Sequence, residues 1–248
     1  MFIPDAQVKH RVNIDHIKAA GKMMIKRKPD VVVVIGDWWD FESLSTYTPA
    51  QKIGFEQRSY MKDFKAGVRA MEAFLRPMEK YNAKQKINKK RQYKPQLVFT
   101  CGNHEYRVDR LVEQNGVLDG ALPRVEDYLM DKGFTVFPFK QAINVDGVNY
   151  CHLCPQPLSA GNVGRAHLML SKRNSSWSTG HIQILDYAVS IHTPRLHGLI
   201  AGSFYTHDEG YKRGANDHWR GLVYKTNVKE GSYDPEFISI DGLMEIYG

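Results

Sequence analysis

The sequence predicts an α/β fold of two packed, mixed β-sheets flanked by helices. Two observations predict it. Val31-Val32-Val33-Val34-Ile35 is a run of β-branched apolar residues, which reads as a strand buried on both faces of a sheet. Strand-like runs then alternate with amphipathic helical patterns in the first half, and shorter strand signals dominate the second half. The 248 residues suffice for one sizeable core, and no linker or repeat divides them, so a single domain over 1–248 is expected.

The elements follow in order. Phe2-Ile3 leads into Pro4-Asp5-Ala6-Gln7 as a short first strand. Asn13 is a plausible cap for a helix with Ile14, Ile17 and Ala20 on one face, ending at Lys28-Pro29. The Val31–Ile35 strand follows, and strand, helix, strand at this spacing implies a right-handed parallel crossover. Residues 41–53 read as a loop and roughly 55–80 as a long helix, because Tyr60, Phe64, Val68, Met71, Leu75 and Met78 recur at helical spacing. Strand 96–101 enters Gly102-Asn103-His104-Glu105, and helices are expected over about 106–115 and 123–132. Residues 134–153 read as strands with Asp146-Gly147 as a hairpin turn, so parallel strands are expected to give way to an antiparallel sheet. A helix over 164–173 and strands at 188–192, 196–203, 219–228 and 237–240 complete the chain.

Composition sets bounds on function. No window approaches the ~18–20 apolar residues of a membrane span, and residues 1–10 lack the apolar core of a signal peptide. The expected location is the cytoplasm. Cys101, Cys151 and Cys154 cannot form a disulfide framework. Cys151-His152-Leu153-Cys154 spells C-x-x-C, but a structural zinc site usually wants a second such pair and none exists, so small apolar fillers are the plainer reading. The net charge is +7, and residues 84–94 alone hold six Lys and Arg and no acid. That basic insert is either a grip for phosphate backbones, hence DNA or RNA, or a solvated loop or helix end.

The chemistry sits where strands end. Val31–Ile35 stops at Gly36 and delivers Asp37, then Asp40. The strand at 96–101 delivers Asn103 and His104. Asp5 and Gln7 follow the first strand, His152 follows Val148-Asn149-Tyr150-Cys151, and Gly180-His181-Ile182-Gln183 is a fifth such turn. Ligands of open α/β sheets bind outside the carboxyl ends of the strands. Five turns that each carry metal-capable side chains therefore argue for a metal site. Each residue also has a plainer reading. Asp5 and Asp37 suit helix caps, Asn103 suits a turn, His152 suits a satisfied core histidine, and His181 competes with His167, His192 and His197.

The ordered set Gly36-Asp37-Trp38-Trp39-Asp40, Gly102-Asn103-His104-Glu105, His152 and Gly180-His181-Ile182-Gln183, with Asp5-Ala6-Gln7 before it, resembles the calcineurin-like metallophosphoesterase superfamily. Ile3-Pro4-Asp5-Ala6-Gln7 and Ala201-Gly202-Ser203-Phe204-Tyr205-Thr206-His207-Asp208-Glu209 look like a phage and prophage branch of it. The resemblance implies a four-layer α/β/β/α sandwich that hydrolyses phosphate esters with two divalent metal ions, and it places a phage-encoded enzyme in the host cytoplasm. It assigns Asp5, Gln7, Asp37 and Gln183 to one metal and Asp37, Asn103, His152 and His181 to the other. His104 stands beside the leaving group as proton donor or charge stabiliser. The family usually carries His where this chain has Gln7 and Gln183. Both changes fall on one metal, whose ligands become all oxygen, which favours Mn²⁺, Mg²⁺ or Ca²⁺ over zinc or copper there, and that site is expected to bind weakly. For the pair of ions Mn²⁺ is favoured, with Mg²⁺, Zn²⁺, Fe or Ni as alternatives. The rival expectation is a dead first site, which leaves a single-metal enzyme or a non-catalytic nucleic-acid-binding module. Phosphodiester bonds of nucleic acid or nucleotides are the favoured substrate, with a phosphomonoesterase as the alternative. Asp40, Glu105, Arg107 and His207 are candidate supporting or substrate groups. Trp38 or Trp39, if exposed, could stack on a base, though core packing is the simpler expectation. The aromatic and charged stretch 204–220 reads as the wall of a cleft or as an ordinary hairpin loop.

Overall fold

Residues 1–45, 59–153, 165–191, 193–208 and 218–248 are described here from a computed structural model. The Val31–Val34 strand (β2) runs between β1 (Phe2–Ile3) and β3 (Gln96–Thr100), and both pairings are parallel. β4 (Phe134–Phe137) extends this sheet in parallel beyond β3. On its other side β10 (Gly221–Lys229) pairs antiparallel with β1, and β11 (Ser232–Ser239) pairs antiparallel with β10. The order of this six-stranded sheet is β11-β10-β1-β2-β3-β4.

The second sheet has the order β5-β6-β7-β9-β8, built from Ile143–Val145, Val148–Tyr150, Ser176–Thr179, His197–Ala201 and Leu185–Val189 for β5, β6, β7, β9 and β8. This sheet is mixed, as the fold class expects, but the switch to antiparallel pairing expected from the hairpin turn reaches only its edges. Its centre, β6-β7-β9, is parallel, and only the edge pairs β5-β6 and β8-β9 are antiparallel. The physical reason is α5 (Ala166–Arg173), a helix between β6 and β7 that returns the chain to the same end, as a parallel pair requires. The hairpin at Asp146-Gly147 does form, with φ of 50° and 84° at the two turn residues.

Alternation along the strands sorts side chains into layers. Ile3, Val32, Val34, Leu97 and Phe99 face outward against α1 (Asp15–Arg27), α2 (Tyr60–Ile87), α4 (Val125–Asp131) and α6 (Ile240–Tyr247). Phe2, Val33, Ile35 and Val98 face the other way, against Val148, Tyr150, Leu199 and Ala201 of the second sheet. Beyond that sheet, Ala166 and Met169 of α5 cover Trp177 and Ile200. Helices, sheet, sheet and helix thus stack in that order.

Several boundaries differ from the sequence reading. α2 runs on to Ile87, so the first part of the basic insert is helix. Residues 88–95 then return to β3, tied down by Asn82, whose side chain donates to the Tyr93 carbonyl and accepts from the Tyr93 N–H, each at 2.8 Å. β8 lies at 185–189, earlier than the strand expected at 188–192. Phe237–Ser239 is the end of a longer strand, and Ile240 opens α6, which is capped by Ser239, whose Oγ accepts from Gly242 N at 3.1 Å. Asn13 caps α1 from one residue further out than expected, its Oδ1 accepting from Asp15 N at 2.6 Å. The part of the 41–53 loop from 46 onward and the expected helix start at 55–58 fall outside the described residues. So do His192 and Cys154, and with Cys154 the C-x-x-C pair. Among the described residues no helix is long and apolar enough to cross a membrane.

Candidate metal centre at the carboxyl rim

Because β1, β2 and β3 are parallel to one another, and β6 and β7 likewise, the chain leaves all five strands at one rim. Asp5, Asp37, Asn103, His152 and His181 all lie just past those strand ends. Ligand atoms of Asp37, His152 and His181 fall within 4.8 Å of one another. Asn103 Oδ1 points at the same spot, 3.1 Å from His152 Nε2 and 2.8 Å from His181 Nδ1. His152 Nε2 is also 3.2 Å from Asp37 Oδ2. The other nitrogen of His152 donates to the Ile35 carbonyl at 2.8 Å, which fixes the ring with Nε2 toward the centre.

The first set of oxygens lies beside it. Asp5 is fully buried and its Oδ1 accepts from His181 N at 3.1 Å. Gln183 Nε2 donates to Asp5 Oδ2 at 3.4 Å. Gln7 is held against Asp37 by its N–H donating to the Asp37 carbonyl at 2.8 Å, and its buried Oε1 has no hydrogen-bond partner among the described residues. Space here is tight. A Cβ at Gly102 would collide with the Asp37 carboxylate, and one at Gly180 with Asp5 Oδ1, so glycine is required before both Asn103 and His181.

His104 sits on the edge of the centre. Its N–H donates to Asp37 Oδ1 at 2.9 Å, and its Nδ1 lies 2.8 Å from the Asp40 carbonyl and 3.0 Å from Asp40 Oδ1. Nδ1 therefore carries a proton. Arg107 donates to the Asp40 carbonyl at 2.7 Å, and its Nη2 lies 3.0 Å from His104 Nε2. Lys9 closes the group with a 3.5 Å ion pair to Asp40 Oδ2.

The electrostatics follow from burial and pairing. Burial alone would raise the Asp37 carboxyl, but the charges of His104 and His152 override it and hold it well below the usual carboxylate range. Burial pushes Asp5 up to about 6, with His152 opposing. Burial would lower His152, yet Asp37 and then Asp5 raise it to about 9. Burial, aided by the charge on His152, lowers His181 to about 4. Burial would likewise lower His104, and Asp37 with Asp40 raises it instead. Without a cation, then, a proton on His152 supplies the positive charge that these carboxylates and the Asn103 oxygen surround.

Four site residues have left-handed backbone: Gln7, Asp37, His181 and Gln183, with φ of 38°, 47°, 68° and 63°. None is glycine, so each costs on the order of 1 kcal/mol or more, and such strain concentrates at functional sites.

Of the supporting and substrate roles expected for Glu105, the geometry gives it the supporting one. It is 1% exposed and accepts four backbone N–H bonds, from Asp37 and Gly102 on Oε2 and from Trp38 and Trp39 on Oε1, at 2.8–3.1 Å. Burial and then the Asp37 charge push its carboxyl up to about 7. All four lone pairs are nonetheless taken by amide donors, which leaves no place for a proton, so the ionised form is the one this turn holds. Trp38 and Trp39 are both fully buried, donating to the carbonyls of Gly67 and Phe64, which excludes base stacking. His207 stacks on Tyr205, with ring centroids 4.7 Å apart. Tyr205 was not expected in a site role. It is 1% exposed and donates to Gln183 Oε1 at 3.0 Å. The rest of the 204–220 stretch, 209–217, falls outside the described residues.

The basic segment lies at the other end. Residues 88–95 precede β3, whereas Asn103 follows it, so roughly 16 Å of strand separates them. Arg91, Gln92, Tyr93 and Lys94 line a separate cavity of about 480 Å³ with Lys28 and Tyr81. No family model matches this chain, and no curated protein matches it significantly.

Proposed function

We propose that this chain is a metal-dependent phosphoesterase of the metallophosphoesterase type, with phosphodiester bonds of nucleic acid or nucleotides as its favoured substrate. The observation that carries the reading is the meeting of Asp37, His152 and His181, ligand atoms within 4.8 Å, at a rim where five strands end. The donor set fits a cation. His152 is fixed through Nδ1 with Nε2 turned inward, Asn103 offers an oxygen to the same point, and the orphaned Gln7 Oε1 lacks a positive partner. Asp37, Asn103, His152 and His181 would hold one ion, and Asp5, Gln7, Asp37 and Gln183 the second, with Mn²⁺ favoured. When bound, such ions lower the pKa of a water and neutralise charge on phosphoryl oxygens.

The protein's own groups supply the remainder. His104, oriented by Asp40, can place a proton at Nε2 against a departing ester oxygen. Arg107 stands 3.0 Å from that nitrogen and can pair with a phosphoryl oxygen. Glu105 gathers the amides of 37–39 and 102, fixing how Asp37 is presented. The preference for diesters rests on the resemblance to the phage branch. The basic segment is too far from the centre to touch the scissile phosphate and would meet only a long polymer.

The test is hydrolysis of bis(p-nitrophenyl) phosphate beside p-nitrophenyl phosphate, with EDTA, Mg²⁺, Mn²⁺ or Zn²⁺. The expected result is Mn²⁺-dependent turnover, faster on the diester. Faster turnover of the monoester would move the substrate class to phosphomonoesters. No turnover by folded protein with any cation would sink the reading and favour a nucleic-acid-binding module on this fold.

A further inference from the structure

Gln183 is oriented in a way that does not suit a ligand. Its amide nitrogen, not its oxygen, faces Asp5, at 3.4 Å from Oδ2. Its oxygen faces away and accepts from Tyr205 OH at 3.0 Å. A side-chain amide binds a cation through oxygen, while its nitrogen carries two protons and offers no lone pair. We propose that the Gln183 amide stands in for the first cation, donating to Asp5 in the cation-free protein, and must turn about its terminal bond before that cation binds. This inference rests on the phosphoesterase reading.

Tyr205 is placed to permit both orientations. It is buried, and its chain segment is bound to Asp5 itself: Phe204 N donates to the Asp5 carbonyl at 2.7 Å, and Ser203 pairs with Asp5 in a β-bridge. Its hydroxyl has one proton and two lone pairs, and the oxygen also lies 3.0 Å from His218 Nε2. In the orientation observed, Tyr205 gives its proton to Gln183 Oε1. After the turn, Gln183 Nε2 donates to the Tyr205 oxygen, and the Tyr205 hydroxyl, keeping its proton, turns to donate to His218 Nε2, which accepts in the tautomer protonated at Nδ1. Neither state leaves the amide or the hydroxyl without a partner on that side. What differs is the Asp5 side, where a donor is replaced by an oxygen that only a cation makes favourable. The first site is therefore conditional, closed by the Gln183–Asp5 hydrogen bond, while the histidine-containing site is closed by a proton on His152 that the solvent can take up. Breaking a hydrogen bond to a charged group costs the first site about 10- to 100-fold in affinity, and its oxygen-only ligands add to the difference.

The test uses the full chain stripped with chelator. Calorimetric titration with Mn²⁺ is expected to show one tight ion and a second bound about 10- to 100-fold more weakly. Gln183→Glu, which has no proton to give Asp5, is expected to tighten the weaker step at least tenfold and leave the tighter one within about twofold. A second measurement separates the amide turn from the added charge. The Gln183 side-chain amide resonances of the wild-type protein, assigned by their loss in Gln183→Glu, are followed as one equivalent of Zn²⁺ and then Mg²⁺ are added. They are expected to hold through the first addition and shift on the second. Two equal Mn²⁺ steps, or amide resonances that do not respond to the second ion, would overturn the inference while leaving the phosphoesterase reading intact. Failure to bind any cation would remove that reading, and this inference with it.

Discussion

The carboxyl rim and the space between the sheets both bury charge, and they handle it in opposite ways. Between the sheets, Lys225 of β10 reaches from one sheet to the other. It donates to Ser178 Oγ at 2.6 Å and Tyr150 Oη at 3.2 Å, and the rings of Phe2, Tyr150 and Tyr233 lie 4.3–5.0 Å from its nitrogen. Among its described partners none is a carboxylate, and burial holds its pKa well below the usual lysine value. Burial there pushes the lysine toward its neutral form. At the rim, Asp5, Asp37, Asp40, Glu105, His104 and His152 are buried together and are held by one another's charges and hydrogen bonds. They are so held on left-handed backbone at Asp37 and with an unpaired oxygen at Gln7. The lysine is a finished piece of core. The rim is strained and one positive partner short, which is how a site differs from packing.

The largest expected effect falls on the residue that joins both oxygen sets. Asp37→Asn keeps the shape and removes the charge, and diester hydrolysis should fall by at least about 10³-fold. Retained activity in that variant would place the chemistry elsewhere. Next is Glu105→Gln. Its amide nitrogen would face two of the four N–H donors, each costing about 1–3 kcal/mol, so a loss of about 3 kcal/mol in urea unfolding is expected. A loss under ~0.5 kcal/mol would mean the amides find other acceptors.

Lys225 tests the other half of the contrast. Its lowered pKa means the folded chain has released a proton that the unfolded chain keeps, up to about pH 10.4. Wherever the unfolded chain binds more protons, stability rises with pH. The contribution therefore grows from the folded pKa upward, and Lys225→Met should remove up to about 1.4 kcal/mol per pH unit of that rise, measured by urea unfolding at pH 7, 8 and 9. An unchanged slope would show that the lysine is charged in place. The smallest effect is expected from the basic segment. Replacing Lys89, Lys90, Arg91 and Lys94 with Ser should change turnover of a small diester by less than about twofold, because roughly 16 Å exceeds the screening length of about 8–10 Å. A larger drop would mean the segment reaches the centre.

Much of the rim was legible before any coordinates. A run of valines ending in Gly-Asp, and a second strand ending in Gly-Asn-His-Glu, announce buried strands that deliver polar groups at their ends. The parallel order brings those ends together as the pattern requires. What the residues do once there was less legible. Nothing in Gly-Asn-His-Glu signals that the glutamate collects amides from a turn 66–68 positions earlier, because that depends on how two loops fold onto each other. The orientation of the Gln183 amide is set by Tyr205, 22 positions away, inside a stretch that reads equally as the wall of a cleft and as an ordinary hairpin loop. α6 was missed because Phe237-Ile238-Ser239-Ile240 alternates like a strand. The Ser239 hydroxyl, by capping Gly242 N, makes the chain turn into a helix instead. Lys225 was invisible for a similar reason. A lysine in a strand reads as surface, and only the second sheet, laid across it, makes it core.

The central claim is that Asp37, His152, His181 and Asn103 hold a cation. Its most direct test is the metal content of purified protein after dialysis against Mn²⁺ and then metal-free buffer, for the wild type and Asp37→Asn. The account predicts that the wild type keeps at least one ion per chain and the variant, still folded by circular dichroism, keeps none. A wild type that keeps no ion, or a variant that keeps as many, would contradict it.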